Sequence, residues 1–395
     1  MKLKATYGLA GNDQIGSNSD RFFYLSNVNM NTKLGIRFGD EFQNYLSGIS
    51  ISRYPNDNIT WEVAKKFDVG LELGLFDWIT VQADYFTERR TNILMNRASI
   101  PSTMGLQAII RANVGEASSH GYEVSVDANK SFTPDFWVSG RFNMTYASGK
   151  YDVYEEPDYG YEWLSWEGKK LNQLTGLIAE RLFIDEADIA NSPEQTFGPV
   201  MPGDIKYKDV NDDGIINSQD YVPIGYPSVP NYIYGFGFSA GYKNLDFSCF
   251  FQAAAECSFF IDYNATAPFV NNSSWGAATS TAVLKDWADN HWSETNRDSY
   301  SLYPRLSPEL VSNNCRNSTW WLRDGSYLRL KTLEFGYTFP KKWMNRAKIK
   351  NLRVYFSGSN LFTFAKFKMW DVEMSGNGLS YPIQRVLNLG ININI

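Results

Sequence analysis

The densest potential chemistry in the chain lies in one stretch, Asp209-Val210-Asn211-Asp212-Asp213-Gly214-Ile215-Ile216-Asn217-Ser218-Gln219-Asp220. Its side chains set oxygen donors at positions 1, 3, 5, 9 and 12 of a calcium-loop cycle, from Asp209, Asn211, Asp213, Asn217 and Asp220, and the Ile215 carbonyl falls at position 7. Gly214 stands at position 6, where such a loop turns sharply. Hard oxygen donors at this spacing suit Ca2+ in a structural role, because a cation caged inside a loop mainly fixes backbone geometry. The last donor is Asp220 where a calcium loop usually carries Glu, and the shorter side chain reaches bidentately only if the backbone moves closer. The same residues also make good Asx turns without any metal, and both readings stand at this point.

Other side chains offer weaker chemistry. Tryptophans in the long polar connections, Trp163, Trp166 and Trp275 first among them, have faces on which a sugar ring can stack. Trp287, Trp292, Trp320 and Trp321 lie in similar stretches, and pinning loops together is the commoner use of such residues. The carboxylates Glu155, Glu156 and Asp158 are of the type used in glycoside hydrolysis, but that chemistry needs a fixed separation across a cleft. His120 and His291 form no ligand spacing, and no Ser/His/Asp set, P-loop or Gly-rich nucleotide motif is present. The chain is therefore not expected to be an enzyme. Cys249, Cys257 and Cys315 make an odd number without CxxC spacing, which indicates neither a disulfide framework nor a zinc site. A net charge of -6 without a basic stripe argues against nucleic acid as a partner.

The elements that must hold these residues are strands. Tyr232, Tyr234, Phe236, Phe238, Ala240 and Tyr242 alternate with Gly235, Gly237, Ser239 and Gly241, and the pattern resumes after Lys243-Asn244 with Leu245, Phe247, Cys249 and Phe251. Similar alternation predicts strands over about 3–9, 61–75, 79–85, 122–128, 136–146, 327–339, 351–364 and 381–395, about ten in all. The phase change at Lys331-Thr332 predicts a bulge. Short turns at Phe76-Asp77, Phe132-Thr133-Pro134 and Lys243-Asn244 alternate with long excursions, the largest at 148–230 and 256–324. The stretch from Gly11 to Ile59 reads as irregular, and so does 91–118.

The chain has 26 Phe, 24 Tyr and 12 Trp, yet its mean hydropathy is -0.36, so its apolar surface must be distributed by alternation. No apolar run reaches the roughly 18 residues of a helical membrane span, a test to which a barrel is blind. Tight turns at one end, long loops at the other and aromatics gathered at the tight turns (Phe76 with Trp78, Phe132 with Phe136, Phe339 with Trp343) predict an all-β, antiparallel transmembrane barrel segment in an outer membrane.

Four stretches stand in order along the chain: Gly203 to Asp220, Tyr234-Gly235-Phe236, Asn317 to Lys331 with its Thr319-Trp320-Trp321, and Ser357 to Phe362. Together they resemble the carboxy-terminal part of a SusC/RagA-type TonB-dependent outer-membrane transporter. Ala5 to Gly8, Gly11-Asn12 and Trp61-Glu62 extend the likeness over the whole chain. The resemblance implies a barrel of about 22 strands filled by an amino-terminal plug. It further implies import of oligosaccharides or peptides, with energy passed through TonB by the amino-terminal part and a SusD-like surface lipoprotein as lid. About ten strands correspond to the carboxy-terminal portion of that barrel, and no plug, early strand or signal peptide is expected within this sequence. The closing stretch Asn388 to Ile395 resembles the family's assembly signal, though it ends on Ile395 where an aromatic is usual. Two other readings of the pattern are a free-standing outer-membrane pore or adhesin and a soluble, calcium-stabilised carbohydrate-binding β-module.

Overall fold

Alternating sequences become strands that pair with their neighbours in sequence, because tight turns bring adjacent segments together at little loop-closure cost. The computed structural model describes residues 1–13, 22–269, 282–346 and 349–394. Ten strands form one antiparallel meander: β1 (Lys2–Asn12), β2 (Glu62–Leu75), β3 (Ile79–Asn96), β4 (Arg111–Thr133), β5 (Phe136–Val153), β6 (Tyr232–Tyr242), β7 (Leu245–Ala255), β8 (Tyr327–Thr338), β9 (Asn351–Ala365) and β10 (Val386–Asn394). β1 and β10 each pair on one side only, so the barrel is not closed. The expected bulge lies where pairing slips between Leu330 and Thr332.

The register sorts side chains onto two faces. Val69, Tyr85, Tyr122, Tyr146 and Tyr232 line up across five strands on one face. Along β10 the same face carries Leu389 at 79% exposure and Ile391 at 65%, an apolar surface no soluble sandwich would leave bare. The opposite face holds ion pairs: Lys66 to Glu88 at 3.4 Å, Arg90 to Glu62 at 2.6 Å, Arg141 to Asp127 at 2.7 Å, and Arg353 with Asp246 and Glu334. Apolar out and charged in is the pattern of a barrel wall in lipid. On the inner face aromatic rings lie where a glycine leaves room, Phe86 against Gly121 and Phe250 against Gly237. At the tight-turn end Phe132 stacks on Phe136 at 5.3 Å, and Phe76 and Trp78 meet at 6.4 Å, as do Phe339 and Trp343.

Three expectations need correction. The segment before Ile59 is not irregular throughout, since Asn27–Phe38 and Asn44–Arg53 form a hairpin with three register breaks, and those breaks disrupt the period-two signal. The stretch 91–118 is half wall, because β3 runs to Asn96 and β4 starts at Arg111. β5 likewise continues to Val153, which shortens the excursion expected from 148. Register slips at Arg90/Ile93, Ile93/Leu94 and Glu116/Ala117 break the alternation at these strand tops, which conceals the strand from a period-two reading.

The deeply buried core lies in the long loops rather than in the sheet. Leu177, Leu182, Ile205, Tyr207 and Ile216 from the excursion after β5 pack with Trp287, Tyr303 and Trp321 from that after β7, and with Phe367 and Val372 from that after β9. The excursions thus fold together into one body at the end opposite the tight turns.

Candidate functional site

The loop body is fastened by the residues that carried the sequence resemblance. Leu177 N–H donates to the Asn317 carbonyl at 2.9 Å, Thr319 N–H to the Leu177 carbonyl at 2.9 Å, and Ala179 N–H to Thr319 Oγ1 at 2.9 Å. Trp321 is 1% exposed, donates its indole N–H to the Asn314 carbonyl at 2.7 Å, and packs beside Trp287, which stacks on Tyr303 at 4.0 Å. Within the Gly203 motif, Asp204 is fully buried. It accepts from Met201 N–H and Asn314 Nδ2 at 2.9 Å each and pairs with Arg305 at 2.9 Å. Burial pushes the Asp204 carboxyl above its ordinary range, against the pull of Arg305 and these hydrogen bonds. Asn313, Asn314 and Gln195 complete a buried polar network with the Ile205 and Tyr207 backbone.

The loop Asp209 to Asp220 hangs from this body. Ile216 is 1% exposed, and Ile215–Ile216 pair in parallel with Glu194–Gln195, taking up the Gly214 and Ile216 carbonyls. Asp209 Oδ2 accepts from Gly214 N–H at 2.7 Å, Asn211 Oδ1 from Asp213 N–H at 3.2 Å, and Asp213 Oδ1 from Ile215 N–H at 2.8 Å. Asn217 Oδ1 accepts from Gln219 N–H at 2.7 Å, and the buried Asp220 takes Val210 N–H and Asn217 N–H at 2.8 Å each. Gly214 has φ +84°, as the sharp turn requires. Among the described residues no three His, Cys, Asp or Glu side chains already converge as a metal cage. The donor set nonetheless fits a cation: Asp209 Oδ1 is buried with no hydrogen-bond partner. Each carboxylate oxygen that accepts one N–H also keeps a second lone pair.

Trp163 sits against this loop. Its indole N–H donates to the Gln219 carbonyl at 2.8 Å and its ring stacks on Tyr161 at 4.7 Å, so it pins the loop's end. Trp166 is half-buried at the β5 rim, with Tyr151 at 6.1 Å, Tyr154 at 6.5 Å and Lys169 over its ring at 5.1 Å. Trp287, Trp292 and Trp321 belong to the buried core, and Trp320 donates to the Leu302 carbonyl. Trp275 lies outside the described residues. Beside Trp166, a cavity of about 420 Å³ opens at the rim, lined among others by Asn96, Arg111, Tyr154, Glu155 and Tyr159.

Glu155 and Glu156 serve structure here. Burial raises the Glu155 carboxyl, but hydrogen bonds from Ser99 and Arg97 outweigh it and hold the group down at about 2. Glu156 Oε1 accepts from Ser165 Oγ at 2.5 Å and from Trp166 N–H at 2.7 Å. The three cysteines are unpaired, and burial pushes the Cys257 and Cys315 thiols up to about 11, away from the reactive thiolate.

A second cavity, of about 340 Å³, lies between the inner wall and the last loop, next to Ile233, Gln252, Tyr327 and Glu373. Arg329, 1% exposed, closes its neighbourhood by pairing with Asp371 at 2.7 Å and Glu373 at 2.7 Å. Sequence reading missed this clamp, because nothing in the local pattern separates Arg329 from any other polar wall residue.

Comparison with known proteins places this geometry. Residues 28–361 match the family model described as TonB dependent receptor-like, beta-barrel. TonB-dependent receptor P3 of Formosa agariphila is 29% identical over 99% of this chain and 39% of its own length. TonB-dependent receptor SusC of Bacteroides thetaiotaomicron is 26% identical over 100% of this chain and 37% of its own length. The RagAB peptide importer in its open-open state superposes with a TM-score of 0.68 at 20% identity, over 100% of this chain and 40% of that one. The chain thus spans about two fifths of the length of the relatives it matches.

Proposed function

The chain belongs to the TonB-dependent receptor-like β-barrel family, and from that premise we propose that it forms the carboxy-terminal wall and outer mouth of an importer that takes up oligosaccharides. Receptors of this family are outer-membrane β-barrel proteins, and the relatives matched are named as receptors and transporters rather than enzymes. The observation that carries the reading is the division of one sheet into an apolar outer face and a charged inner face, capped at one end by a folded loop body. A SusD-like surface lipoprotein docks on that body, and TonB supplies the energy through another part of the full protein.

The substrate assignment is supported by the rim cavity. Tyr154 and Tyr159 beside Arg111 and Asn96 combine aromatic faces with hydrogen-bonding groups, which suits a sugar ring, and Trp166 packs behind Tyr154. Peptides are the second reading, favoured by the likeness to a peptide importer. Uptake of labelled oligosaccharide and peptide pools by cells carrying the complete protein or its Tyr154→Ala/Tyr159→Ala variant tests both. Loss of oligosaccharide uptake alone supports the assignment, and loss of peptide uptake alone transfers it to peptides. Unchanged uptake of both removes the cavity from the pathway. Failure of any lipoprotein to co-purify would remove the partner.

The loop Asp209 to Asp220 holds Ca2+ in this reading, with Asp209, Asn211, Asp213, Asn217, Asp220 and the Ile215 carbonyl as donors and a structural role. The buried, unpartnered Asp209 Oδ1 supports it. Calorimetry on the complete protein should give calcium binding that Asp209→Asn weakens at least about tenfold. Equal binding by both proteins would leave the loop an Asx-turn array without metal.

A further inference from the structure

On the outer face of the sheet, Lys65, Arg89, Ser118 and Lys150 stand directly opposite one another across β2, β3, β4 and β5. Two of the cations, Lys65 and Arg89, are immediate cross-strand partners, an arrangement that is destabilising unless an anion lies between them. Arg89 has Glu116 at 2.7 Å and Lys150 has Asp152 at 3.5 Å, both acids lying on the loop side of the row. Lys65 is exposed and has no carboxylate within ion-pair distance among the described residues. The side of the pair that faces the tight turns is therefore open, over Phe67 and the Thr87 hydroxyl one rung below.

The height of the row decides what meets it. From Leu75 at the turn up to Lys65, a strand rising about 3.3 Å per residue and tilted about 40° climbs about 25 Å, the height of a barrel's apolar band. The tyrosine row Tyr85, Tyr122, Tyr146 and Tyr232 lies two rungs, about 10 Å, below and so within that band, its rings at 5.0 Å and 4.6 Å in the last two contacts. The cations thus sit where headgroup phosphates of the outer leaflet lie. We propose that Lys65 and Arg89 clamp a phosphate of an outer-leaflet lipid against the barrel wall. This rests on the outer-membrane reading above. Fractionation of cells tests that reading separately, since a protein absent from the outer membrane fails there before any lipid is weighed.

Native mass spectrometry of the complete protein in detergent, titrated with a phosphorylated lipid A and with its dephosphorylated counterpart, tests the clamp. Wild-type protein should prefer the phosphorylated lipid by about thirtyfold, and Lys65→Gln/Arg89→Gln should lose that preference. The charge-keeping Lys65→Arg/Arg89→Lys variant, with the same heat-modifiability on gels, should retain it. A phosphatidylglycerol arm tells the lipid source: equal retention assigns the site to lipid phosphate in general, and weaker retention to lipid A. Equal retention of the phosphorylated and dephosphorylated lipids, or an unchanged preference in the Gln variant, would overturn the proposal. So would displacement of the lipid by equimolar inorganic phosphate, which would make the site one for a free anion.

Discussion

Replacing Asn314 by Ala should loosen the loop body while leaving the barrel standing. Asn314 is fully buried; its Oδ1 accepts from Ile205 N–H at 2.9 Å and its Nδ2 donates to Asp204 at 2.9 Å. The truncation leaves one buried N–H without an acceptor, at about 1–3 kcal/mol, and takes one donor from a buried carboxylate, at about 1.5–3 kcal/mol. A combined loss of about 3–5 kcal/mol corresponds to a rise in local opening of about a hundredfold to a few thousandfold. Hydrogen exchange at Ile205 and Tyr207 in the complete protein reads this directly, with heat-modifiability as the control for the barrel. Asn314→Asp should be worse at neutral pH, since it sets a second carboxylate beside Asp204. It should also recover as pH falls. The folded Asp204 carboxyl titrates above its unfolded value of 3.8, so the native form holds more protons in that window and stability declines as pH rises through it. Exchange at Ile205 and Tyr207 that changes less than about tenfold would refute the claim that the excursions form one cooperative body through this network.

Three further outcomes are expected. Gly121→Ala places a methyl against the Tyr146 carbonyl and the Phe86 ring, so the unfolding midpoint of the barrel in detergent should drop by the equivalent of about 1–3 kcal/mol; Gly8→Ala, with open space around it, should not move it. Arg329→Met strips Asp371 and Glu373 of their cation; both acids are partly exposed and can rehydrate, so the expected cost is about 2–3 kcal/mol, seen as faster proteolysis within 366–385. Glu155 is held at about 2 in the folded protein against 4.5 when free, so its tie to Arg97 and Ser99 contributes fully above pH 4.5 and is lost as pH falls through about 2. Acid-induced exchange at Ser99 should follow that window and disappear from it in Glu155→Gln.

The sequence by itself determined the wall. A period of two is a local property, so ten strands, their tight turns, the bulge at Lys331 and the apolar outer face were all legible in it. Where register slips shift the phase, at the tops of β3, β4 and β5, the signal vanished though the pairing continued, because backbone hydrogen bonds do not depend on which side chains they carry. The donor spacing of 209–220 was legible too, but the lone oxygen of Asp209 and the double capping by Asp220 were not. Only the tertiary structure brought Asn314 to Asp204, Thr319 to Ala179 and Asp371 to Arg329, each pair far apart in the chain and joined by loops without periodicity. The row of Lys65, Arg89 and Lys150 belongs to the same class. Each cation reads alone as an ordinary strand residue, and register across four strands is what sets them side by side.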